Sequence, residues 1–257
     1  MTTRLAVVSG GGTGIGAACA RRLAAAGNAV LIIGRRQHRL DETAASVRAA
    51  GGVAHCTPAD VTDPDQVQAL AERIRTDFGA VEILVNNAGA PAVPERSGLA
   101  ELADAWLQTY RVNTVSAVLL TTALEPLLRT PGGRVVMIGS RAAQTGAASP
   151  AYVAAKAALE GYVRAAAARL GARAITVNLV APGFTEDTEL TVGRISQSRR
   201  SSLLASVTLG RPGTPDEIAA VVAFLASPDA GYITGEVVTV DGGSAPWRTS
   251  GATPKPG

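Results

Sequence analysis

Short apolar runs recur along the chain and alternate with longer segments in which apolar residues return with the period of a helix. Seven of these runs have strand length and are rich in Val and Ile: residues 5–9, 29–33, 53–57, 83–86, 134–139, 175–180 and 236–240. Strands that are apolar at nearly every position are expected where helices cover both faces of a parallel sheet. Repeated strand–helix–strand units therefore predict a doubly wound parallel sheet with helices on both faces, in one α/β domain spanning residues 1–244.

The amino-acid composition indicates whether this predicted domain is soluble or spans a membrane. The chain is 47% hydrophobic and 18% charged, as is typical of a packed globular protein. No apolar run approaches the roughly 20 residues that a membrane-spanning helix requires. The first residues resemble a core strand rather than a secretory signal, so the sequence predicts a soluble, cytoplasmic protein. Residues 245–257 are rich in Pro and Gly and are expected to form a loosely held tail.

Cysteine, histidine and charge exclude several other classes. Cys19 and Cys56 are the only cysteines, too few for a disulfide framework, and we expect both to be buried free thiols. His38 and His55 are isolated in the sequence, so no metal site is predicted. The net charge is +3, but the arginines are scattered and no basic cluster is interleaved with aromatic residues. This distribution disfavours a nucleic-acid partner.

A glycine-rich segment directly follows the first predicted strand. Residues 9–16 read SGGGTGIG, and an alanine-rich helix is predicted from there to Ala26. Glycines let the backbone turn sharply and approach a pyrophosphate, whose charge is favoured by the amino end of the new helix. The segment therefore predicts a dinucleotide site, although turns are glycine-rich for other reasons as well. The residues of this predicted site are Ser9, Gly10, Gly12, Thr13, Gly14, Ile15 and Gly16.

The end of the second predicted strand indicates which dinucleotide is bound. Folds that prefer NAD carry a carboxylate about 20 residues after the glycines, where this chain has Arg35 and Arg36. Because guanidinium groups bind phosphate with charged, forked donors, the pair favours the 2′-phosphate of NADP(H). The alternative is that both arginines only begin the next helix on a solvated face. After the third strand, Asp60 and Val61 are candidates for an adenine contact.

A tyrosine and a lysine stand four residues apart on a predicted helix. Tyr152 and Lys156 therefore share one helical face, where an ammonium can lower the pKa of a phenol toward the working pH. Lys156 is the only lysine outside the tail, since Lys255 is the other and the chain otherwise uses arginine. Ser140 is a candidate for holding a substrate oxygen, and a buried Asn113 for supporting a proton-carrying water. Taken alone, a Tyr-x-x-x-Lys pair is usually an ordinary surface pair.

Several motifs in order together resemble the short-chain dehydrogenase/reductase family. The resemblance covers the chain to about residue 244, and it implies a single-domain Rossmann fold with seven strands and Tyr152 as the acid/base. It also implies that Lys156 binds the nicotinamide ribose, that Ser140 orients the carbonyl, and that the chain forms a homotetramer or a dimer. The motifs are SGGGTGIG, NNAG at 86–89, Asn113, Ser140, YVAAK at 152–156, NLVAPG at 178–183 and GEVVTVDGG at 235–243.

The same resemblance assigns further cofactor contacts. They are Asn87, Ala88, Gly89, Tyr152, Lys156, Pro182, Gly183 and Thr185. Two departures from the family pattern are present. Ser9 stands where threonine is usual, which keeps the hydroxyl, and 12 positions separate Ser140 from Tyr152 where 13 are common. The shorter loop leaves Ser149 as a remote alternative to Ser140.

The substrate is the least defined part of this reading. Gln144, Thr145, Phe184, Leu190 and Ile195 are candidates for lining its pocket, and each could equally be packing or loop surface. The favoured reaction is reduction of a ketone or oxidation of a secondary alcohol, with a β-keto acyl or polyketide-type carbonyl as one substrate class. A catalytically silent NADP(H)-binding regulatory protein is the alternative.

Partners follow from the charged surface and from the tail. Arg129, Arg169 and Arg173 could steer an acidic acyl carrier protein, although exposed arginines usually only solvate a surface. No nucleic-acid or membrane partner is predicted. Trp247 could line a neighbouring subunit's pocket or cover an apolar edge.

Overall fold

A computed structural model describes residues 4–94, 98–188, 191 and 196–244. Within these residues seven strands form one sheet in the order β3-β2-β1-β4-β5-β6-β7, and every neighbouring pair is parallel. The strands are β1 (Leu5–Ser9), β2 (Ala29–Gly34), β3 (Val53–Pro58), β4 (Ile83–Asn86), β5 (Arg134–Ile138), β6 (Thr176–Pro182) and β7 (Val237–Val240). The predicted fold class is confirmed.

The α-helices connect the strands as crossovers. They are α1 (Gly14–Ala25), α2 (Gln37–Ala49), α3 (Pro64–Asp77), α4 (Leu99–Tyr110), α5 (Ser116–Leu124), α6 (Ala142–Thr145), α7 (Pro150–Leu170), α8 (Gln197–Ala205) and α9 (Pro215–Leu225). A π-helical turn, Arg111–Val115, joins α4 to α5. Where the sequence supplies a strong start signal, the structure uses it: Thr214 and Glu217 form a reciprocal capping box at α9.

Alternate residues of the five inner strands enter opposite cores. Val7 and Leu31 face the side covered by α3, α5 and α7, whereas Val8 and Ile32 face the side covered by α1, α2 and α9. All four side chains are at most 2% exposed, so both faces of the sheet are buried. This explains why the strands are apolar without alternation, because burial at about 25 cal/mol per Å² favours apolar residues on either face.

The predicted strand ends differ from the observed ones by two residues at most, the largest difference being β6, which continues to Pro182. The expectation of two buried thiols is half wrong. Cys19 is buried in α1, but Cys56 is partly exposed, and its sulfur lies 3.2 Å from Asp41 Oδ1. The predicted tail at 245–257, with Trp247, lies outside the described residues.

The topology brings the carboxyl ends of the strands to one edge of the sheet. Chain order reverses between β1 and β4, which are paired with Ser9 opposite Asn86. In open α/β sheets a ligand cleft forms at such a reversal, because the loops leaving the two strands run to opposite sides.

Candidate active site

A cavity of about 640 Å³ opens at this carboxyl edge. Its lining brings together the glycine turn, the arginines after β2 and the Tyr–Lys pair. The sequence-predicted site residues that line it are Gly10, Gly12, Thr13, Gly14, Ile15, Arg35, Arg36, Asp60, Val61, Asn87, Ala88, Gly89, Asn113, Ser140, Thr145, Ser149, Tyr152, Lys156, Pro182, Gly183, Phe184 and Thr185.

Other predicted residues are placed elsewhere. Ser9 and Gly16 lie behind the cavity wall, where they support the turn. Gln144 does not line the cavity; it is exposed and donates from Nε2 to Glu160 Oε1 at 3.2 Å. The orientation of the short helix α6 turns this side chain outward. Leu190 and Ile195 lie outside the described residues.

The glycine turn is held by hydrogen bonds to the neighbouring strand end. Ser9 Oγ accepts the backbone N–H groups of Asn87 and Ala88 at 3.1 and 3.2 Å. In return, Asn87 Nδ2 donates to the carbonyls of Ser9 and Gly10 at 3.1 and 3.0 Å. Serine at position 9 therefore supplies the hydroxyl that this junction needs.

The turn then leads directly into α1 at backbone angles that favour glycine. Gly10 and Gly14 have φ values of +62° and +51°, and α1 begins at Gly14. A Cβ at Gly16 would lie 2.2 Å from the carbonyl oxygen of Gly10, so turn and helix are in backbone contact. The amino end of α1 therefore faces the cavity, a geometry that suits a pyrophosphate.

The end of the cavity beyond β2 carries positive charge. Arg35 and Arg36 line it, together with Arg39 from the first turn of α2. Arg39 also pairs with Glu42 at 2.9 Å. Among the residues that line the cavity, Asp60 is the acidic one, and its Oδ1 is taken by Thr62 Oγ1 at 2.8 Å. This donor set fits a phosphate on the ribose better than a bare 2′-hydroxyl.

Helix α7 begins two residues before Tyr152. Ser149 is its amino cap and Pro150 its first residue. Proline is favoured at the first position of a helix because its fixed φ suits the helix and no N–H is needed there. Tyr152 therefore projects from the first turn into the cavity, which Ser140 also lines, and the serine hydroxyl acts to lower the pKa of the phenol. The short loop after Ser140 does not remove either residue from the cavity. Ser149, the remote alternative, also lines the cavity.

Lys156 is buried one turn further along α7. Its side chain is 4% exposed, and its Nζ donates to the carbonyl of Ile138 at 3.0 Å. Burial lowers the pKa of Lys156 to about 8. The ammonium therefore carries less charge above neutral pH than an exposed lysine would.

The expectation that Lys156 lowers the pKa of Tyr152 is wrong for this structure. Burial raises the pKa of the Tyr152 phenol, and Ser140 opposes this only in part. Lys156 Nζ lies 6.0 Å from the centre of the phenol ring and donates to the carbonyl of Ile138. The phenol is therefore held in its neutral, proton-donating form.

Asn113 lies in the π-helical turn between α4 and α5. Its Oδ1 accepts the N–H of Ala90 at 3.2 Å, and its Nδ2 donates to the carbonyl of Thr109 at 3.0 Å. A Cβ at Gly89 would lie 3.0 Å from Asn113 Oδ1 and 3.3 Å from Lys156 Nζ. Asn113 and Lys156 thus approach each other across Gly89, as π-helical turns at functional sites often allow.

The rim of the cavity is formed by the chain after β6. Phe184, Thr188 and Thr191 line it, as do Leu203 and Ser206 of the α8 region. Within this rim Arg200 pairs with Glu186 at 2.6 Å. The rim therefore combines small and apolar side chains in the lining with an ion pair beside them.

The three arginines proposed to steer an acidic partner are each close to a carboxylate. Arg169 and Arg173 lie 2.5 and 3.8 Å from Glu125, and Arg129 lies 3.8 Å from Glu82. The positive charge of this surface is therefore partly compensated within the chain.

Several residues near the site were not predicted from the sequence. Arg39, Arg141 and Ser244 all line the cavity. The helical spacing of three residues from Arg36 could have indicated Arg39. For Arg141 and Ser244 the sequence holds no signal, because they meet only through segments about a hundred residues apart.

Within the described residues no helix has both the length and the apolar character needed to cross a bilayer. The same residues hold no group of three or more His, Cys, Asp and Glu side chains that could bind a metal ion.

Fold and site together define an α/β protein whose dinucleotide-type cleft brings together Ser140, Tyr152 and a buried Lys156. A family model described as Enoyl-(Acyl carrier protein) reductase matches residues 10–245. The short-chain reductase protein NovJ of Streptomyces niveus is 38% identical over 245 residues, which cover 93% of each chain. The chain belongs to the short-chain dehydrogenase/reductase family of oxidoreductases.

Further relatives carry more specific names. The 3-oxoacyl-(acyl-carrier-protein) reductase FabG of Escherichia coli is 38% identical over 250 residues, covering 93% of this chain and 96% of the relative. A solved short-chain dehydrogenase/reductase from Serratia marcescens is 36% identical with a TM-score of 0.86, covering 94% of this chain and 98% of that one. An actinorhodin polyketide ketoreductase variant, solved with NADPH, is 30% identical with a TM-score of 0.82, covering 94% and 97%.

Proposed function

We propose that this chain is an NADP(H)-dependent oxidoreductase that reduces a ketone to a secondary alcohol. One observation carries the proposal. Tyr152 lies in the same cavity as the α1 glycine turn and Ser140, and burial raises the pKa of its phenol, which keeps it in the neutral form. A proton donor thus stands within one cleft of a cradle for a dinucleotide.

The cofactor choice rests on charge at the far end of this cleft. Arg35, Arg36 and Arg39 lie where a carboxylate would bind the 2′-hydroxyl of NAD(H), and guanidinium groups suit a 2′-phosphate. The family members solved with NADPH support the same assignment. When bound, NADPH supplies the hydride that the carbonyl carbon receives.

The roles of the chain's own side chains follow from their contacts. Ser140 orients the carbonyl oxygen, and Tyr152 delivers its proton to that oxygen, because its raised pKa keeps the phenol protonated at neutral pH. Lys156, fixed by Ile138, binds the nicotinamide ribose and returns the proton through a water supported by Asn113. Alcohol oxidation uses the same groups in reverse, in a direction set by the cofactor ratio.

The substrate class is inferred from the cavity mouth and the relatives' names. The rim near Tyr152 holds Phe184 and Leu203 among small side chains, which suits an acyl chain. Relatives named as a 3-oxoacyl reductase and a polyketide ketoreductase support a β-keto acyl or polyketide-type carbonyl. An acyl carrier protein as donor and a homotetramer or dimer as the assembly belong to the same proposal.

The test is NADPH oxidation, followed at 340 nm, against a panel of ketones and 3-oxoacyl thioesters. We expect turnover in the wild type and a loss of at least about 100-fold in kcat for Tyr152→Phe, because general acid catalysis contributes about 10²–10⁴-fold. NADPH binding, measured by its fluorescence, should be retained in the variant.

A matched control is Tyr232→Phe, which removes a phenol hydroxyl from a fully exposed side chain far from the cavity lining. This variant should keep wild-type turnover. NADPH binding without turnover on any compound would instead favour a catalytically silent regulatory protein.

A further inference from the structure

Arg141 directly follows Ser140 and has no role in the proposed chemistry, yet its side chain is only 12% exposed. Its Nε lies 2.8 Å from Asp241 Oδ2, whose side chain is 10% exposed. The two form an ion pair rather than an aligned hydrogen bond, since Nε has no acceptor within hydrogen-bond angles. A buried guanidinium at this point must serve the structure around it, because an uncompensated charge would be costly there.

The other two nitrogens of Arg141 reach two further segments. Nη2 donates to the carbonyl of Ser244 at 3.1 Å, and Nη1 donates to Gln144 Oε1. Gln144 Nε2 in turn donates a hydrogen bond to Glu160 of α7, which lies two turns beyond Tyr152. One side chain therefore connects the Ser140 turn, the tyrosine helix and the loop after β7.

The backbone of Arg141 fixes Ser140 in the same arrangement. Its N–H donates to Pro182 at 2.9 Å, and its carbonyl accepts the N–H of Gln144 at 3.0 Å. The next residue, Ala142, donates its N–H to Ser140 Oγ at 3.2 Å. The position of the serine hydroxyl thus depends on a turn whose first residue is Arg141.

The loop after β7, residues 241–244, links Arg141 to the rim of the cavity. Ser244 bridges to Val207 in an antiparallel pair, and Thr208 and Leu209 donate their N–H groups to Gly243 and Gly242 at 3.4 and 3.0 Å. Val207, Thr208 and Leu209 follow α8, which contributes Leu203 to the rim. The 241–244 loop therefore lies between the turn at Ser140 and residues 207–209, which we call the base of α8.

We propose that Arg141 is a positioning residue that couples the Ser140 turn to the base of α8 through Asp241 and Ser244. The placement of Ser140 against Tyr152 and the placement of α8 over the cavity are then set together. This inference rests on the proposed function for the role of Ser140, but the coupling itself does not.

The first experiment measures the coupling without turnover, by hydrogen exchange of the cofactor-free full chain. In Arg141→Gln, the amides of Ala142, Thr208 and Leu209 should exchange at least about tenfold faster than in the wild type. The matched control is Arg134→Gln, which removes a buried arginine bonded to three carbonyls at the amino end of β5. It should leave these three amides unchanged.

The second experiment measures catalysis. In Arg141→Gln, kcat should fall about 10- to 100-fold, as expected for a misplaced reacting group, while NADPH affinity changes less than about threefold. Asp241→Asn should do the same, and the double variant should be no worse than either single one, because both break one pair. Arg141→Lys, which keeps the charge, should recover part of kcat and serves if Arg141→Gln does not fold.

Unchanged exchange at Thr208 and Leu209 in Arg141→Gln and in Arg141→Lys would overturn the coupling, whatever the turnover. Additive losses in kcat would also contradict it. A wild-type protein without turnover on any ketone counts against the proposed function alone, since the exchange measurement still decides the coupling.

Discussion

Lys156 lies in surroundings that are unusual for its residue type. A lysine normally extends its ammonium into water, but this one is 4% exposed, and the hydrogen bond that the structure gives it is to the carbonyl of Ile138. Arginine could not take this place, because its planar fork needs more acceptors than one strand end provides. This agrees with the use of a single internal lysine in an arginine-rich chain.

The burial of Lys156 predicts how stability depends on pH. Its pKa is about 8 in the folded chain and 10.5 when exposed, so between these values the unfolded chain holds a proton that the folded chain lacks. The free energy of unfolding should therefore rise with pH across this window, by about 3 kcal/mol, whereas below pH 8 the destabilisation by the buried ammonium is complete and no longer changes with pH. Urea unfolding of the cofactor-free wild type and of Lys156→Met, from pH 7 to pH 10.5, measures the difference.

Lys156→Met keeps the length and apolar stem of the side chain and removes the titration. Its stability relative to the wild type should be highest at pH 7 and decline toward pH 10.5. Parallel pH profiles for the two proteins would contradict the assigned burial of the ammonium.

At the scale of elements, the glycine turn and α1 act as one unit. The turn cannot move away from the helix without opening the contact between Gly16 and the carbonyl of Gly10, where a Cβ would lie only 2.2 Å from the oxygen. That oxygen also accepts from Asn87 at the end of β4. The shape of the glycine turn at the proposed phosphate site is therefore set by backbone packing rather than by side chains.

Gly16→Ala should disrupt this unit. The methyl group must push the turn from the helix, and we expect a loss of stability of about 1–3 kcal/mol, typical of overpacking, together with weaker NADPH binding. Thermal unfolding and fluorescence titration measure the two effects. The control is Gly161→Ala in α7, where an added Cβ meets nothing within 4 Å. It should stabilise the chain by up to about 1 kcal/mol. An equal change in stability for both variants would contradict the assigned backbone contact between Gly16 and Gly10.

What the sequence could predict follows from how local each signal is. The five inner strands were found because each is a largely apolar run with both faces buried, and the edge strands β3 and β7, which are partly exposed, because they are short runs that contain apolar residues. The Tyr152 helix was found because the Tyr–Lys spacing is local. The π-helical turn at Asn113 was not found, since helical periodicity continues through it from α4 to α5. Gln144 was a candidate for the pocket or for loop surface, and its place outside the lining depends on contacts with Arg141 and Glu160 that are distant or unmarked in the sequence.

At the scale of the whole molecule, charge is distributed along the cleft. The end beyond β2 carries Arg35, Arg36 and Arg39, whereas the rim near Tyr152 is mostly small or apolar. A dinucleotide with an extra phosphate at its adenosine end therefore matches the cleft in polarity. A ligand that binds only the folded chain must also stabilise the whole fold, so cofactor preference can be read from thermal unfolding.

NADPH at about 100 times its Kd should raise the Tm by roughly 5–10 °C, since such a ligand contributes about 2.7 kcal/mol and a protein of this size gains about 2–4 °C per kcal/mol. NADH at the same concentration should raise the Tm clearly less, because it has no 2′-phosphate for the guanidinium groups to bind. In Arg35→Ala/Arg36→Ala the NADPH shift should fall to that of NADH, whereas Arg73→Ala, an exposed arginine of α3 outside the cavity, should behave as the wild type. Equal shifts for both cofactors in the wild type would show that the arginines only begin α2, and the preference for NADP(H) would then have no physical basis in this cleft.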